Sequence, residues 1–408
     1  MDIRPILSTL LRHKTAAALI VLEIALSCAI VCNALFLIAQ RIENVSQPSG
    51  IAEDELVVIR LSGIGPTENA DARTREDKAA LRAVPGVADV TMVNQMPFSS
   101  SASNSGITLT PEQDRSALVA ATYRGDEAML RTLGIQLRAG RDFQPDEFMD
   151  ASTLEQVTDY STLSSATIVS AATAERLFPG ESALGRTIYL GPVPLTIIGV
   201  AEALARPNDA GTGNMTHSLI LPIRDNYTSG ASYMIRVTEP ARRDEVVAAA
   251  VAALERVDAN RLVLDQQAYT EVRDRFFRSD MDMIVLLGVV CIALLVVTAL
   301  GIVGLASFWV QQRSKQIGIR RALGATRGQI LRYFQTENFI LATIGIAVGM
   351  LMAFGINQML MGRYELPRLP LAYLPVGAVA LWLLGQLAVF GPARRAAAVP
   401  PAVATRSV

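Results

Sequence analysis

The sequence predicts an α+β membrane protein: four transmembrane helices carrying one large two-lobed α/β extracytoplasmic domain. Three observations predict it. Apolar residues make up 51% of the 408, and they concentrate in four long runs. Charge is split rather than balanced: Arg41–Asp280 holds 33 acidic and 23 basic residues, whereas the remainder holds 5 acidic and 14 basic. The acidic segment also repeats one strand-helix-strand pattern near each of its ends.

A helix needs about 20 apolar residues to cross the hydrocarbon core. Ala16–Ala39 meets this and is too long for a signal-peptide core, so a retained anchor is expected. Met283–Val310 exceeds the requirement, Phe339–Ile356 meets it narrowly, and Leu371–Phe390 meets it. Lysine and arginine in short flanks orient such helices. Arg4, Arg12 and Lys14 precede the first run. Arg313, Lys315, Arg320, Arg321, Arg327 and Arg332 lie between the second and third, and Arg394 and Arg395 follow the fourth. Four crossings put all three basic stretches on one side, the cytoplasm, with both termini. The acidic segment then lies outside. Met1–Lys14 spaces its apolar residues as an amphipathic surface helix would, or as an extension of the first span. Glu23 and Asn33 are polar residues at membrane depth, where charge is costly and often functional.

The expected domains follow: 1–40, N-terminal helix and first span; 41–280, external domain; 281–392, the remaining spans (283–310, 339–356, 371–390) with a cytoplasmic segment at 311–335; and 393–408, a cytoplasmic tail. Within the external domain, Glu55–Leu61, Thr74–Val84 and Val87–Val93 read as strand, helix, strand. Ser232–Val237, Arg242–Val257 and Arg261–Asp265 read the same way. Two such units give a split β-α-β, porter-like lobe from about 51–96 and 230–270. The intervening residues, about 97–229, predict a mainly β inserted lobe. Its expected strands are Ser116–Tyr123, Thr167–Ser170, Thr187–Leu190, Leu195–Val200 and Ser218–Leu221, with helices at Asp126–Leu133 and Ala171–Leu177. Pro97–Gly106 reads as a flexible connector and Asp146–Leu163 as a mobile loop.

Catalytic patterns are missing. The sequence has no G-x-S-x-G and no H-E-x-x-H, and its two histidines, His13 and His217, lie far apart. Cys28, Cys32 and Cys291 all fall in apolar runs, where packing is the expected role. No enzymatic activity, no metal site and no nucleic-acid partner are expected.

Gln311–Glu337 reads QQRSKQIGIRRALGATRGQILRYFQTE, a basic amphipathic stretch with Gly324 and Gly328 allowing a bend. Such a stretch can lie on the lipid bilayer or dock in a partner's groove. Within it, Ile317-Gly318-Ile319-Arg320-Arg321-Ala322-Leu323-Gly324-Ala325, with Arg313 before and Arg327 and Ile330 after, resembles the signature of FtsX-type permeases. Gln316 stands where that family commonly has glutamate. The external domain resembles the MacB periplasmic domain in Val84-Pro85-Gly86-Val87, Gly140-Arg141-Asp142-Phe143, Ala174–Gly180, Leu184-Gly185-Arg186 and Ile197-Ile198-Gly199-Val200. Pro392–Ala397 followed by Pro400 matches the family's usual ending.

The resemblance to MacB/FtsX-type ABC transporter permeases implies an inner-membrane subunit with a periplasmic domain. ATP hydrolysis would drive its motion, without substrate crossing the bilayer through it. No G-x-x-x-x-G-K-[ST] motif occurs, so ATP and magnesium are expected on separate ATPase subunits, with no cofactor on this chain. The implied ATPase contact comprises Arg313, Ile317, Gly318, Ile319, Arg320, Arg321, Ala322, Leu323, Gly324, Ala325 and Arg327. A second permease, a copy or a paralogue, is the other implied partner. A membrane-fusion adaptor and outer-membrane channel would join in an efflux role. Lipoprotein release of the LolC/LolE kind and FtsX-like control of a cell-wall hydrolase are the alternatives.

Overall fold

The computed structural model describes residues 14–63, 69–159, 165–209, 214–228, 230–364, 370 and 373–398. The amphipathic helix expected over Met1–Lys14 lies outside them but for its last residue. The chain divides into two compact units, Ser46–Arg278 and the combination of Met1–Val45 with Ser279–Val408.

The first unit carries the two strand-helix-strand repeats. The N-terminal repeat is β1 (Leu56–Gly63), α2 (Ala70–Arg82) and β2 (Val87–Met92). The C-terminal one is β12 (Ala231–Val237), α6 (Arg243–Val257) and β13 (Arg261–Ala268). Their strands form one antiparallel sheet in the order β13-β1-β12-β2. Each repeat thus splits around a strand of the other. Strand side chains alternate between faces. Val57, Ile59 and Leu61 accordingly pack on Leu81 of α2 and on Val246, Ala250 and Leu254 of α6. Asp77 of α2, fully buried, accepts from Arg261 at 2.8 Å and from the Tyr233 hydroxyl at 2.8 Å, tying a helix to two strands.

On the other sheet face, Leu56, Val58 and Met234 share a core with Tyr123, Leu133, Ile168 and Ile220. These last belong to the inserted residues. There the elements are β3 (Asn104–Thr108), β4 (Leu118–Arg124), α3 (Met129–Leu133), β5 (Leu137–Gly140), β6 (Met149–Asp150) and α4 (Ala151–Leu154). They continue with β7 (Ser165–Ser170), α5 (Ala171–Leu177), β8 (Thr187–Leu190), β9 (Val193–Ala201), β10 (Ser218–Leu221) and β11 (Ile223–Arg224). Seven strands form a mixed sheet, β5-β9-β7-β10-β4-β3-β8, and β8 also pairs with β9, so the sheet curls back on itself. Ile107, Val169, Ile188, Leu195, Ile197 and Leu219 fill it.

Three expectations are corrected here. Pro97–Gly106 is no flexible connector. Its last residues enter β3, Gln95 both donates to and accepts from the Ser103 backbone, and Asn208 donates to the Ser99 and Ser100 carbonyls. Serine and asparagine, common in loops, act here as backbone clamps. Asp146–Leu163, in its described part to residue 159, is also built. Met149–Asp150 pairs in parallel with Ile223–Arg224, and Arg141 grips Glu147 with two hydrogen bonds. That guanidinium holds the Glu147 carboxyl below its ordinary range. The helix expected over Asp126–Leu133 is shorter, because Asp126 accepts from the Ala128 N–H and makes a turn before it.

The second unit contains four helices long and apolar enough to cross a membrane. They are α1 (Lys14–Val45), α7 (Tyr269–Gln312, whose first ten residues belong to the other unit), α9 (Arg327–Tyr364) and α10 (Tyr373–Ala398). The helices outrun the apolar runs because helical hydrogen bonds continue past the lipid boundary. At 1.5 Å per residue, α7 is about 66 Å long, twice the hydrocarbon thickness. Helix α1 is the centre of the bundle. Apolar side chains gain little by leaving lipid for a helix interface, so close backbone approach at small residues matters instead. Gly345 and Gly349 of α9 provide it, lying against Ile24 and Cys28 of α1, and Gly377 of α10 lies against Cys32. Polar ties add to this: Ser27 to Thr298 at 2.7 Å, and Asn33 to the Ala353 carbonyl at 3.2 Å. The Glu23 carboxylate lies over Gly301 of α7, where any Cβ would fall 2.4 Å from its oxygens. Cys28 and Cys32 are buried free thiols packed at this crossing. Among the described residues no cluster of three or more metal-ligating side chains occurs.

Candidate coupling site

The segment after α7 is a helical hairpin rather than a loop. Arg313 separates α7 from α8 (Ser314–Ala322), and α9 begins at Arg327. Helix α8 ends in a paired backbone cap. The Ala325 N–H bonds the Arg320 carbonyl, the Gly324 N–H bonds the Arg321 carbonyl, and Gly324 has φ +100°. That left-handed geometry is the one glycine supplies freely at a helix end. Helix α9 opens with a reciprocal capping box: the Thr326 hydroxyl accepts from the Gln329 N–H, and the Gln329 side chain accepts from the Thr326 N–H. Gly324 makes the bend. Gly328, expected to share it, sits in the first turn of α9.

The apolar residues divide by face. Ile317, Ile330 and Phe334 are buried with Ala393, Ala396 and Ala397 from the end of α10. The C-terminal helix therefore forms the floor on which the hairpin rests. Arg321 donates to the Ala397 carbonyl at 3.1 Å, and the Arg320 guanidinium lies 5.1 Å from the Tyr333 ring centre. Ile319 and Leu323 point away. Leu323 is 83% exposed, the highest value for a large apolar residue among those described. Ala322, Gly324 and Arg327 are exposed beside it and Ala325 is half-buried, whereas Gly318 is buried. The outward surface is thus an apolar knuckle, Ile319 and Leu323, flanked by Arg320 and Arg327.

Arg313 is different. It is buried, and its guanidinium donates to both oxygens of Glu337 at 3.0 and 2.9 Å, with the Trp309 ring 5.4 Å away. It sits behind the hairpin and locks α8 to α9. Glu337 and Tyr333 belong to the site but were not singled out from the sequence, and the three alanines of α10 stood out only as part of the family-like ending. The T-x-x-Q box at Thr326–Gln329 was a legible signal. The Arg313–Glu337 pairing, 24 residues apart, had none.

With this geometry in hand, comparison with known proteins is informative. The model of the FtsX-like permease C-terminal domain matches residues 288–401. The model of the MacB-like periplasmic core domain matches residues 17–253, more than half the chain. The chain belongs to the MacB/FtsX-type family of ABC transporter permeases. It is 26% identical over 365 residues to the macrolide export ATP-binding/permease protein MacB of Shewanella sp. (strain ANA-3), covering 83% of this chain and 50% of that one. It is 25% identical to the uncharacterized ABC transporter permease YknZ of Bacillus subtilis (strain 168), covering 70% of each. It is 29% identical over 249 residues to the pyoverdine export protein PvdT of Pseudomonas aeruginosa, covering 57% of this chain and 36% of that one. The chain spans about half the length, or less, of the MacB relatives it matches first. Among solved structures, the periplasmic region of MacB from Actinobacillus actinomycetemcomitans aligns with TM-score 0.35 and 15% identity, over 57% of this chain and 97% of that one. Within this family the knuckle falls in the FtsX-like region, and the curled sheet and all of the split sheet but β13 fall in the region matched by the periplasmic-core model.

Proposed function

We propose that this family member is the permease subunit of an exporter in which a separate ATPase subunit supplies the work. The single observation carrying this reading is the α8 knuckle. An apolar pair, Ile319 and Leu323, stands exposed between Arg320 and Arg327 on a hairpin fixed from behind by Arg313–Glu337. A rigid mount with an exposed apolar tip suits a handle gripped by another protein. Basic residues spread over the same segment orient it to the cytoplasm, with both termini, and leave the acidic unit in the periplasm.

In this reading two permeases pair, as copies or paralogues, above two ATPase subunits that hold ATP and magnesium. ATP-driven closure displaces α8, and the unbroken α7 carries the displacement outward. The periplasmic sheets then change arrangement and expel a substrate already outside the membrane. Such coupling requires ATPase binding to favour one of two arrangements. An adaptor and outer-membrane channel would complete an efflux path. The inserted seven-stranded lobe favours this MacB-like role over FtsX-like hydrolase regulation, and lipoprotein release stays the alternative.

The test replaces Ile319 and Leu323 together by aspartate and measures co-purification of the cognate ATPase. Loss of at least tenfold in captured ATPase, with the permease still folded and inserted, is the expected result. Undiminished capture would remove the knuckle from the interface. Cysteine labelling from the periplasmic side at position 323 would overturn the orientation.

A further inference from the structure

A recess of about 40 Å³ lies between α8 and the first two turns of α9. Arg313, Gln316 and Arg320 line it from one helix and Tyr333 from the other, with Ile317 and Phe334 as apolar neighbours. The Ile317 N–H bonds the Arg313 carbonyl at 2.9 Å, so helical spacing holds across the join between α7 and α8. Positions 313, 316 and 320 therefore share one face. Gln316 and Arg320 are exposed, which leaves the recess open to solvent, whereas the Arg313 side chain is only 8% exposed.

The polar lining consists of donors that lack an acceptor. Arg313 gives Nη1 to both oxygens of Glu337, while its Nη2 is buried without a hydrogen-bond partner. An unmade hydrogen bond on a buried charged group is costly. Among the described residues, the Gln316 amide, the Arg320 guanidinium and the Tyr333 hydroxyl also make no hydrogen bond; Arg320 only rests on the Tyr333 ring. Charge is unmatched as well. Two guanidiniums line the recess, and Glu337 answers one of them. The other charged residues of α8, of the first two turns of α9 and of the end of α10 are Lys315, Arg321, Arg327, Arg332, Arg394 and Arg395, all basic. None supplies the missing negative charge.

We infer that this recess binds one small inorganic anion, chloride, held by Arg313 Nη2, Arg320, the Gln316 amide N–H and the Tyr333 hydroxyl, and that the bound ion braces α8 against α9. A water needs about 10–15 Å³, so about 40 Å³ admits a monatomic ion and shuts out any ligand that carries a chain. A monoanion also matches the single surplus charge. The inference rests on the hairpin alone and does not depend on ATPase docking.

The test follows thermal unfolding of the full chain in an uncharged detergent, with sodium chloride exchanged for sodium gluconate at constant ionic strength. Gluconate is too bulky for the recess. Chloride should raise the unfolding temperature saturably, by about 2 °C or more. Gln316→Glu tethers a carboxylate beside both arginines, so this variant should lose the chloride response and match, in gluconate, the unsubstituted chain in chloride. Arg320→Gln should cut the response by at least half. Lys315→Gln removes an exposed cation of the same helix that does not line the recess, and should keep the full response. A chain indifferent to chloride would mean that water alone fills the recess. Full chloride response in Gln316→Glu, or loss of it in Lys315→Gln, would place the effect elsewhere or reduce it to screening. A response to added phosphatidylglycerol that replaces the one to chloride would assign the site to a lipid phosphate. Each of these results would overturn the inference. No ATPase is present in the assay, so its outcome is separate from that of the knuckle.

Discussion

Cutting the Arg313–Glu337 pair tests whether the coupling hairpin is mounted as described. The side chains are 8% and 2% exposed, and both carboxylate oxygens lie within 3.0 Å of one guanidinium nitrogen. Removing one partner of a buried pair strands the other charge, at about 3–5 kcal/mol. Replacing both by apolar residues removes the stranded charge as well as the attraction, which is often neutral or stabilising. Arg313→Met and Glu337→Leu should therefore each lower stability by about 3–5 kcal/mol, and the double variant should lie well above either single one. Thermal unfolding in detergent, followed by circular dichroism, provides the assay. ATPase capture should fall with each single variant, because α8 loses its anchor to α9, and should recover in part in the double variant. Additive losses would refute the reasoning, since they would mean the two side chains act independently. Losses under about 1 kcal/mol, the level of an exposed pair, would show that water reaches the site.

Two further outcomes follow from other parts of the molecule. Gly349→Val should disrupt α1–α9 packing, because even its Cβ would lie 2.5 Å from the Cys28 Cβ and 2.6 Å from the Ala25 carbonyl oxygen. The overpacking cost is about 1–3 kcal/mol, readable as faster cysteine modification at Cys28 and a lower unfolding temperature; the same change at Gly355, with nothing nearby, should leave both unchanged. For Asp89, burial pushes the carboxyl up, but the Val90 N–H, Arg131 and Arg82 outweigh burial and hold it below the ordinary carboxylate range. A folded-state pKa below the unfolded value of about 3.9 means stability present above that pH and lost as pH falls through the folded value. Asp89→Asn should accordingly remove part of the acid-side fall in urea stability below about pH 4, and an unchanged acid limb would contradict this.

The four apolar helices, the split of charge and both strand-helix-strand repeats were legible because each is a local pattern. Span length, flanking arginines and alternating apolar residues depend on neighbours within a few turns. The short helix Ala171–Leu177 was readable to the residue, since Ser170 caps it from the position before. The knuckle was partly readable. Ile319, Leu323 and their arginines stood out as an amphipathic basic stretch, but periodicity alone could not say which apolar residues face inward.

Tertiary contacts decided the rest. Pro97–Gly106 looked like a linker by composition, yet Gln95 and Asn208 saturate its backbone from elsewhere in the chain. Arg313 looked like one more cytoplasmic arginine until α9 brought Glu337 against it. The α10 alanines gave no sign of supporting the hairpin. Which side the basic segments favour, and which stretches become helix or strand, is written in short-range pattern. Which charges are buried and matched is not, because burial and pairing are properties of atoms brought together from distant points along the chain.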